Sequence, residues 1–125
     1  MNLQELENYF YKGIQTLIKS GAQVAAMACN TRHLVFDNLQ KTPIPLISIV
    51  GQTCKAIQTS RFHKVGLMEM KTTMEGSLYQ APLQKQGVAV LLPNPKEREL
   101  IHTIIAEELE LGILKQESLE RFLKS

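Results

Sequence analysis

The 125-residue chain is long enough for one modest hydrophobic core, with 44% hydrophobic and 21% charged residues. A formal net charge of +2, with basic residues scattered among glutamates, argues against a nucleic-acid partner. No segment has the roughly 20 apolar residues that cross a bilayer, and residues 1–10 lack the basic start of a signal peptide. The two cysteines form neither a disulfide framework nor a zinc motif, so we expect a reducing, cytoplasmic compartment.

Strand and helix patterns alternate along the chain. Short apolar runs predict four strands buried on both faces, as in parallel sheets: 24–28, 46–50, 64–68 and 88–92. Helices are predicted over 3–20, over a short segment after residue 33 that ends at about 39, and over 52–60. Further helices are predicted from 72 to near 87, from 95 to 112, and near the chain end. Such alternation defines βαβ units, so we expect an α/β fold with parallel sheets flanked by helices.

Capping signals mark three of the predicted helix starts. They are Asn2 with Glu5, Thr72 with Glu75, and the Asn-Pro-Lys-Glu run 94–97. In each case a side chain can accept hydrogen bonds from backbone N–H groups that have no partner inside the helix.

Ligands of parallel sheets bind beyond the carboxyl ends of the strands. That rule selects three loops: 29–33, 50–53 and 69–75. Cys29 follows a predicted strand and precedes a predicted helix, where backbone N–H groups favour a thiolate. Asn30 and Thr31 add amide and hydroxyl groups suited to holding a carboxylate or an amino group. A buried structural cysteine is the alternative interpretation of Cys29.

Other candidate residues have simpler interpretations. Cys54 lies on the apolar face of its predicted helix, so packing is favoured over function. His33 is a candidate general base, but we prefer a solvated side chain. The glutamates of 107–110 are expected on a solvated helix face. The sequence has no phosphate-binding glycine motif, so nucleotide binding has no support.

Several motifs resemble those of aspartate/glutamate racemases. Residues 27–33, Met-Ala-Cys-Asn-Thr-Arg-His, resemble that family's Ala-Cys-Asn-Thr-x-His segment. Residues 71–83 resemble its Lys/Arg-x-Thr-Met-Glu-x-x-x-Tyr-x-x-x-Leu stretch. Three further segments match in the same order: 45–49, 64–68 and the Glu-Glu-Leu-x-x-Gly end at 107–112. The resemblance covers nearly the whole chain.

The resemblance implies parts of two pseudo-symmetric racemase-type domains, with residues 1–61 in the first and 62–125 in the second. It implies an isomerase that inverts the α-carbon of aspartate or glutamate through two cysteine thiols, with no PLP, other cofactor or metal. Cys29 would be one of these acid/base groups. The residues that would hold the substrate are Asn30, Thr31, Lys71 and Thr73.

The sequence departs from the family pattern in three places. It opens in a helix instead of a strand and glycine-rich loop, it lacks the later Gly-Cys-Thr-Glu segment, and Glu69-Met70 replaces a Gly-Thr. We therefore expect a truncated, impaired racemase. Its uncovered faces favour a homodimer, the swapping of elements between chains, or pairing with a complementary fragment. Glu69 would repel a dicarboxylate unless its carboxylate points away. The alternatives are a one-base isomerase or decarboxylase using Cys29 alone, and a non-catalytic interaction module.

Overall fold

The computed structural model describes residues 2–124, which divide between Ser60 and Arg61 into two compact units. Each unit contains one pair of parallel strands joined through helical segments. The predicted α/β fold with parallel sheets flanked by helices is confirmed. No helix of residues 2–124 is long and apolar enough to cross a membrane.

The first unit follows the predicted order of elements. They are α1 (Leu3–Lys19), β1 (Ala25–Met27), a 3-10 helix (Thr31–Val35), α2 (Phe36–Leu39), β2 (Leu46–Ser48) and α3 (Ile49–Thr59). The predicted capping box begins α1: Asn2 accepts the N–H of Glu5 at 2.9 Å, and the Glu5 carboxylate accepts the N–H of Asn2 at 3.0 Å. β1 and β2 are parallel, with Ala25 opposite Leu46.

The core of the first unit combines one face of α1 with side chains from β1, the 3-10 helix and α2. Six buried side chains pack together there: Leu6, Ile14, Met27, Val35, Phe36 and Leu39. Because Met27 ends β1 while Val35 and Phe36 follow the next loop, the core holds both ends of the segment 28–34. That segment contains Cys29.

The second unit repeats the strand–helix–strand pattern. Its elements are β3 (Lys64–Gly66), α4 (Lys71–Glu75), α5 (Gln80–Lys85), β4 (Ala89–Leu91), α6 (Pro95–Glu107), a 3-10 helix (Leu109–Leu111) and α7 (Gln116–Leu123). The predicted start of α6 is confirmed, since Asn94 accepts the N–H groups of Lys96 and Glu97 at 3.0 and 3.1 Å. Gly112 ends the helical run with a left-handed φ of 71°.

The prediction that the strands are buried on both faces is wrong. In β1 the side chain of Ala26 is exposed between two buried neighbours, and Ile47 in β2 is 40% exposed. In β3 and β4 the outer residues are exposed and only the middle residue is half-buried. Two-stranded sheets bury alternate residues against packed helices and leave the rest open.

The second strand is shorter than predicted, and the predicted loop 50–53 is helical. The hydroxyl of Ser48 accepts the N–H of Gly51 at 3.0 Å, which makes Ser48 the N-cap of α3. Ile49 and Val50 therefore lie in the first turn of α3 and not in β2.

The single helix predicted from 72 to near 87 is interrupted, and its predicted capping box is wrong. Met70 accepts the N–H groups of both Thr73 and Met74, so α4 begins before Thr72. The side-chain amide of Gln80 donates to Thr73 O at 3.3 Å and to Met74 O at 2.7 Å, which satisfies carbonyls at the end of α4. Glu75 forms an ion pair with Arg98 instead of a cap.

Candidate active site

The loop after β1 presents an exposed thiol at the carboxyl end of the strand. Cys29 is exposed, and its Sγ lies 3.5 Å from Oγ1 of Thr31. Thr31 begins the 3-10 helix, while Asn30 precedes it without a side-chain cap hydrogen bond. The prediction that Cys29, Asn30 and Thr31 share one loop beyond a strand therefore agrees with the geometry. The alternative interpretation of Cys29, a buried structural cysteine, is wrong.

His33 is buried, so the preferred interpretation as a solvated side chain is wrong. Its exposed fraction is 7%, and its ring stacks on Phe36 with centroids 4.9 Å apart. Nδ1 lies 2.8 Å from the carbonyl oxygen of Cys29. The sequence indicates a histidine four residues after the cysteine, but it does not indicate that the imidazole turns back to the cysteine's own carbonyl.

Cys54 is a packing residue, as predicted. It is 3% exposed and lies in α3 with the buried Val50 one turn earlier. Burial raises the pKa of the Cys54 thiol, and a backbone hydrogen bond offsets part of that rise. A thiol that is buried and neutral is a poor nucleophile and a poor base.

Lys71 and Thr73 lie together in α4, in the second unit. The Lys71 ammonium is 2.6 Å from the carboxylate of Glu99 on α6. That hydrogen bond, and then the charges of Glu99 and Glu75, hold the pKa of Lys71 above its usual value. The same hydrogen bond and charge hold the pKa of Glu99 below its usual value. Nothing in the sequence near position 71 indicates this partner, because it comes from a helix 28 residues later.

Thr73 carries a buried hydroxyl with no hydrogen-bond partner among the described residues. Its exposed fraction is 3%. A buried hydroxyl without a partner is unfavourable by about 1–3 kcal/mol. A hydrogen bond from a bound ligand or water would remove that cost. The side-chain oxygen of Gln80 is also buried without a partner in the described part of the chain, while the amide nitrogen of the same residue donates to the end of α4.

The carboxylate of Glu69 is engaged by the backbone beside it. The N–H of Met70 donates to Oε2 of Glu69. One oxygen of this carboxylate therefore accepts a hydrogen bond from the backbone immediately before α4.

A separate cavity of about 450 Å³ lies beside α6 and α7 in the second unit. Its lining is largely apolar: Ile104, Leu109, Leu114, Leu119 and Phe122, with Glu108, Lys115, Gln116 and Ser118. Glu108 is only 8% exposed, and it accepts the Ser118 hydroxyl at 2.8 Å. The expectation of a fully solvated glutamate face is therefore wrong at Glu108. None of the predicted site residues lines this cavity.

The matched family defines the class of this protein. The sequence profile of the Asp/Glu/Hydantoin racemase family matches residues 4–124, so the chain belongs to that family. The predicted family is therefore confirmed, and with it a fold of short parallel strands flanked by helices.

Individual relatives agree with this assignment. An aspartate racemase homologue from Pyrococcus horikoshii OT3 superimposes with a TM-score of 0.75 at 36% identity, over 87% of this chain and 49% of its own. The broad specificity amino-acid racemase RacX of Bacillus subtilis is 27% identical over 70% of this chain and 38% of its own length. The glutamate racemase of Exiguobacterium sibiricum is 26% identical over 65% of this chain and 31% of its own length. This chain thus spans half or less of these relatives.

Proposed function

We propose that this chain carries out proton transfer at the α-carbon of aspartate or glutamate, with Cys29 as an acid/base group and without PLP. One observation carries the proposal: the exposed Cys29 thiol lies beyond the carboxyl end of β1, 3.5 Å from the Thr31 hydroxyl. Parallel sheets bind ligands at that edge. Membership of the racemase family supports the choice of an amino acid as substrate.

The chemistry requires a base that can approach a weakly acidic C–H bond. The Cys29 thiolate takes the α-proton, forming an S–H bond, while the electrons of the C–H bond pass to the α-carbon and its carboxylate. Hydrogen-bond donors must stabilise that developing charge in a site shielded from water. When the proton returns from the Cys29 thiol, the thiolate is restored and the original configuration is kept.

We propose that four further residues hold the substrate. Asn30 and Thr31 supply an amide and a hydroxyl beside the thiol. Lys71 supplies an ammonium for a carboxylate, and Thr73 a buried hydroxyl whose hydrogen bonding is incomplete among the described residues. An anionic group at Lys71 must compete with Glu99, which already contacts the ammonium.

Inversion of configuration by two thiols requires a second acid/base group. The chain has two cysteines, and Cys54 is buried inside the first unit. Because the chain spans half or less of the relatives named above, we propose that residues 1–61 and 62–125 are partial racemase domains, and that a homodimer partner supplies the second group. A cytoplasmic, reducing compartment is part of the same proposal, since Cys29 acts as a free thiol.

Deuterium exchange tests the proposal directly. The protein is incubated with L-aspartate or L-glutamate in D₂O, and the α-proton is followed by NMR while chiral chromatography follows the D-isomer. Exchange with retained configuration supports one working base, and exchange with D-isomer supports a complete two-base site. A folded protein that exchanges neither substrate contradicts the proposal and favours a non-catalytic interaction module.

A further inference from the structure

His33 contacts the Cys29 loop through both its backbone and its side chain. Its backbone N–H donates to the carbonyl of Asn30 at 2.9 Å. Its ring nitrogen Nδ1 lies 2.8 Å from the carbonyl oxygen of Cys29. One residue therefore binds two consecutive carbonyls of the segment that carries the thiol.

We propose that His33 is a positioning residue that holds the Cys29 loop by donating a hydrogen bond from Nδ1–H to the Cys29 carbonyl. This inference deepens the proposed function and rests on it, because it concerns how the acid/base thiol is oriented. Its tests need no turnover, so they can fail or succeed independently of racemase chemistry.

The tautomer follows from the partner. A carbonyl oxygen only accepts hydrogen bonds, so Nδ1 must carry the proton. Nε2 then carries the lone pair, and it is buried with no hydrogen-bond partner among the described residues. A proton on Nε2 would place a buried donor without an acceptor, while Nδ1 and the carbonyl would face each other as two acceptors. The geometry thus favours one of the two tautomers strongly.

The imidazole is itself fixed by the core. Its ring lies nearly parallel to Phe36, with an interplanar angle of 12°. Phe36 belongs to the buried cluster that α1 completes, and it is 6% exposed. Packing therefore orients Phe36, Phe36 orients His33, and His33 orients the peptide group between Cys29 and Asn30. The thiol is left exposed beside the Thr31 hydroxyl.

This arrangement also argues against His33 as a general base. Nδ1 is committed to the carbonyl, and Nε2 contacts no donor or acceptor of the described chain. A proton relay between the imidazole and the Cys29 thiol would need one ring nitrogen within hydrogen-bond reach of the sulfur or of an intervening group.

The first test uses the unmodified protein. Long-range ¹H–¹⁵N correlation spectra of ¹⁵N-labelled protein identify which ring nitrogen of His33 is protonated, with His33→Asn used to assign the signal. We expect the Nδ1–H tautomer. The Nε2–H tautomer, which free histidine prefers, would overturn the proposal.

Two matched variants separate the hydrogen bond from packing. His33→Asn keeps a donor near the position of Nδ1 and removes the ring, while His33→Phe keeps a ring to stack on Phe36 and removes the donor. We expect the Cys29 carbonyl ¹³C resonance to keep its wild-type position in H33N and to move upfield in H33F. An unmoved resonance in folded H33F would mean that His33 donates no hydrogen bond to this carbonyl.

Thiol reactivity then reports whether the loop positions Cys29. A thiolate accepts the Thr31 hydroxyl only while the loop holds the two side chains together. We therefore expect iodoacetamide to alkylate Cys29 about fivefold more slowly in H33F, corresponding to one net hydrogen bond, with H33N near the wild-type rate. Equal rates in folded H33F and wild type would overturn the positioning role. If H33F does not fold, the tautomer of His33 in the wild-type protein decides, because the Nε2–H form would still overturn the proposal.

Discussion

At the scale of single residues, a substitution at Thr73 should raise stability and weaken substrate binding at the same time. Its hydroxyl is buried without a partner among the described residues, so an isosteric methyl should suit this position better. We expect Thr73→Val to raise the free energy of unfolding by up to about 1 kcal/mol and to weaken the binding of L-aspartate. Urea unfolding and an NMR titration measure the two effects.

The neighbouring Thr72 provides the control for this prediction. It is exposed, so Thr72→Val should change stability by less than about 0.5 kcal/mol and leave aspartate binding unchanged. Clear destabilisation by Thr73→Val would mean that the hydroxyl has a partner in the folded protein.

Burial of Cys54 makes stability depend on pH in the alkaline range. The pKa of Cys54 is raised in the folded state, so the unfolded chain loses this proton first as the pH rises. The stability contribution is complete below the thiol's unfolded pKa of roughly 8.5 and is lost as pH rises through the folded pKa. We expect the difference in unfolding free energy between wild type and Cys54→Ala to shrink as the pH rises above roughly 8.5.

A pH-independent difference between wild type and Cys54→Ala would contradict the buried, neutral thiol.

Glu99 should weaken the binding of anions at Lys71. The two groups are 2.6 Å apart, and both remain partly exposed, so the pair is screened by water. We expect Glu99→Gln to tighten L-aspartate binding by up to about fivefold. Glu107→Gln, at the other end of α6, removes the same charge without freeing Lys71. An equal gain in both variants would show a general charge effect and contradict a specific role of Lys71.

At the scale of elements, Gly76 permits the break between α4 and α5. A Cβ at this position would lie 2.9 Å from the carbonyl oxygen of Thr72, which is backbone and cannot move aside cheaply. We therefore expect Gly76→Ala to lower the free energy of unfolding by about 1–3 kcal/mol, measured by urea unfolding.

Gly13 is the matched control, since it lies inside α1 and a Cβ added there would meet no atom within 4 Å. Gly13→Ala should stabilise the protein by about 0.5–1 kcal/mol through helix propensity. If both substitutions were stabilising, the close approach at Gly76 would be wrong.

Local signals in the sequence predicted the elements that depend on neighbouring residues. The capping boxes at Asn2 and Asn94 were predictable because each donor and acceptor lies within three residues. The α4–α5 break was not, because it depends on the Gln80 amide reaching the end of α4 and on space at Gly76. The start of α3 was a missed local signal, since Ser48 is a common N-cap residue.

The candidate site shows the same division between local and distant contacts. Cys29 and Thr31 are two residues apart in one loop, so their proximity was predictable. The burial of His33 depends on stacking against Phe36, and the partner of Lys71 comes from α6. These contacts are set by packing of elements, which hydrophobic periodicity does not resolve.

At the scale of the whole molecule, the described residues contain two parallel strand pairs, and the chain spans half or less of the relatives named above. Both sheets contain solvent-exposed side chains, such as Ala26 and Ile47 in the first sheet. Open faces and strand edges favour association with further protein surface. The proposed homodimer would supply such surface and a second acid/base group.

The most direct measurement of the central claim compares the two cysteines in α-proton exchange. Rates are measured by NMR in D₂O with L-aspartate and L-glutamate for wild type, Cys29→Ala and Cys54→Ala, with circular dichroism confirming that each is folded. We predict that Cys29→Ala loses exchange by at least about 100-fold, while Cys54→Ala exchanges within a fewfold of wild type. Exchange that survives in Cys29→Ala would contradict the account.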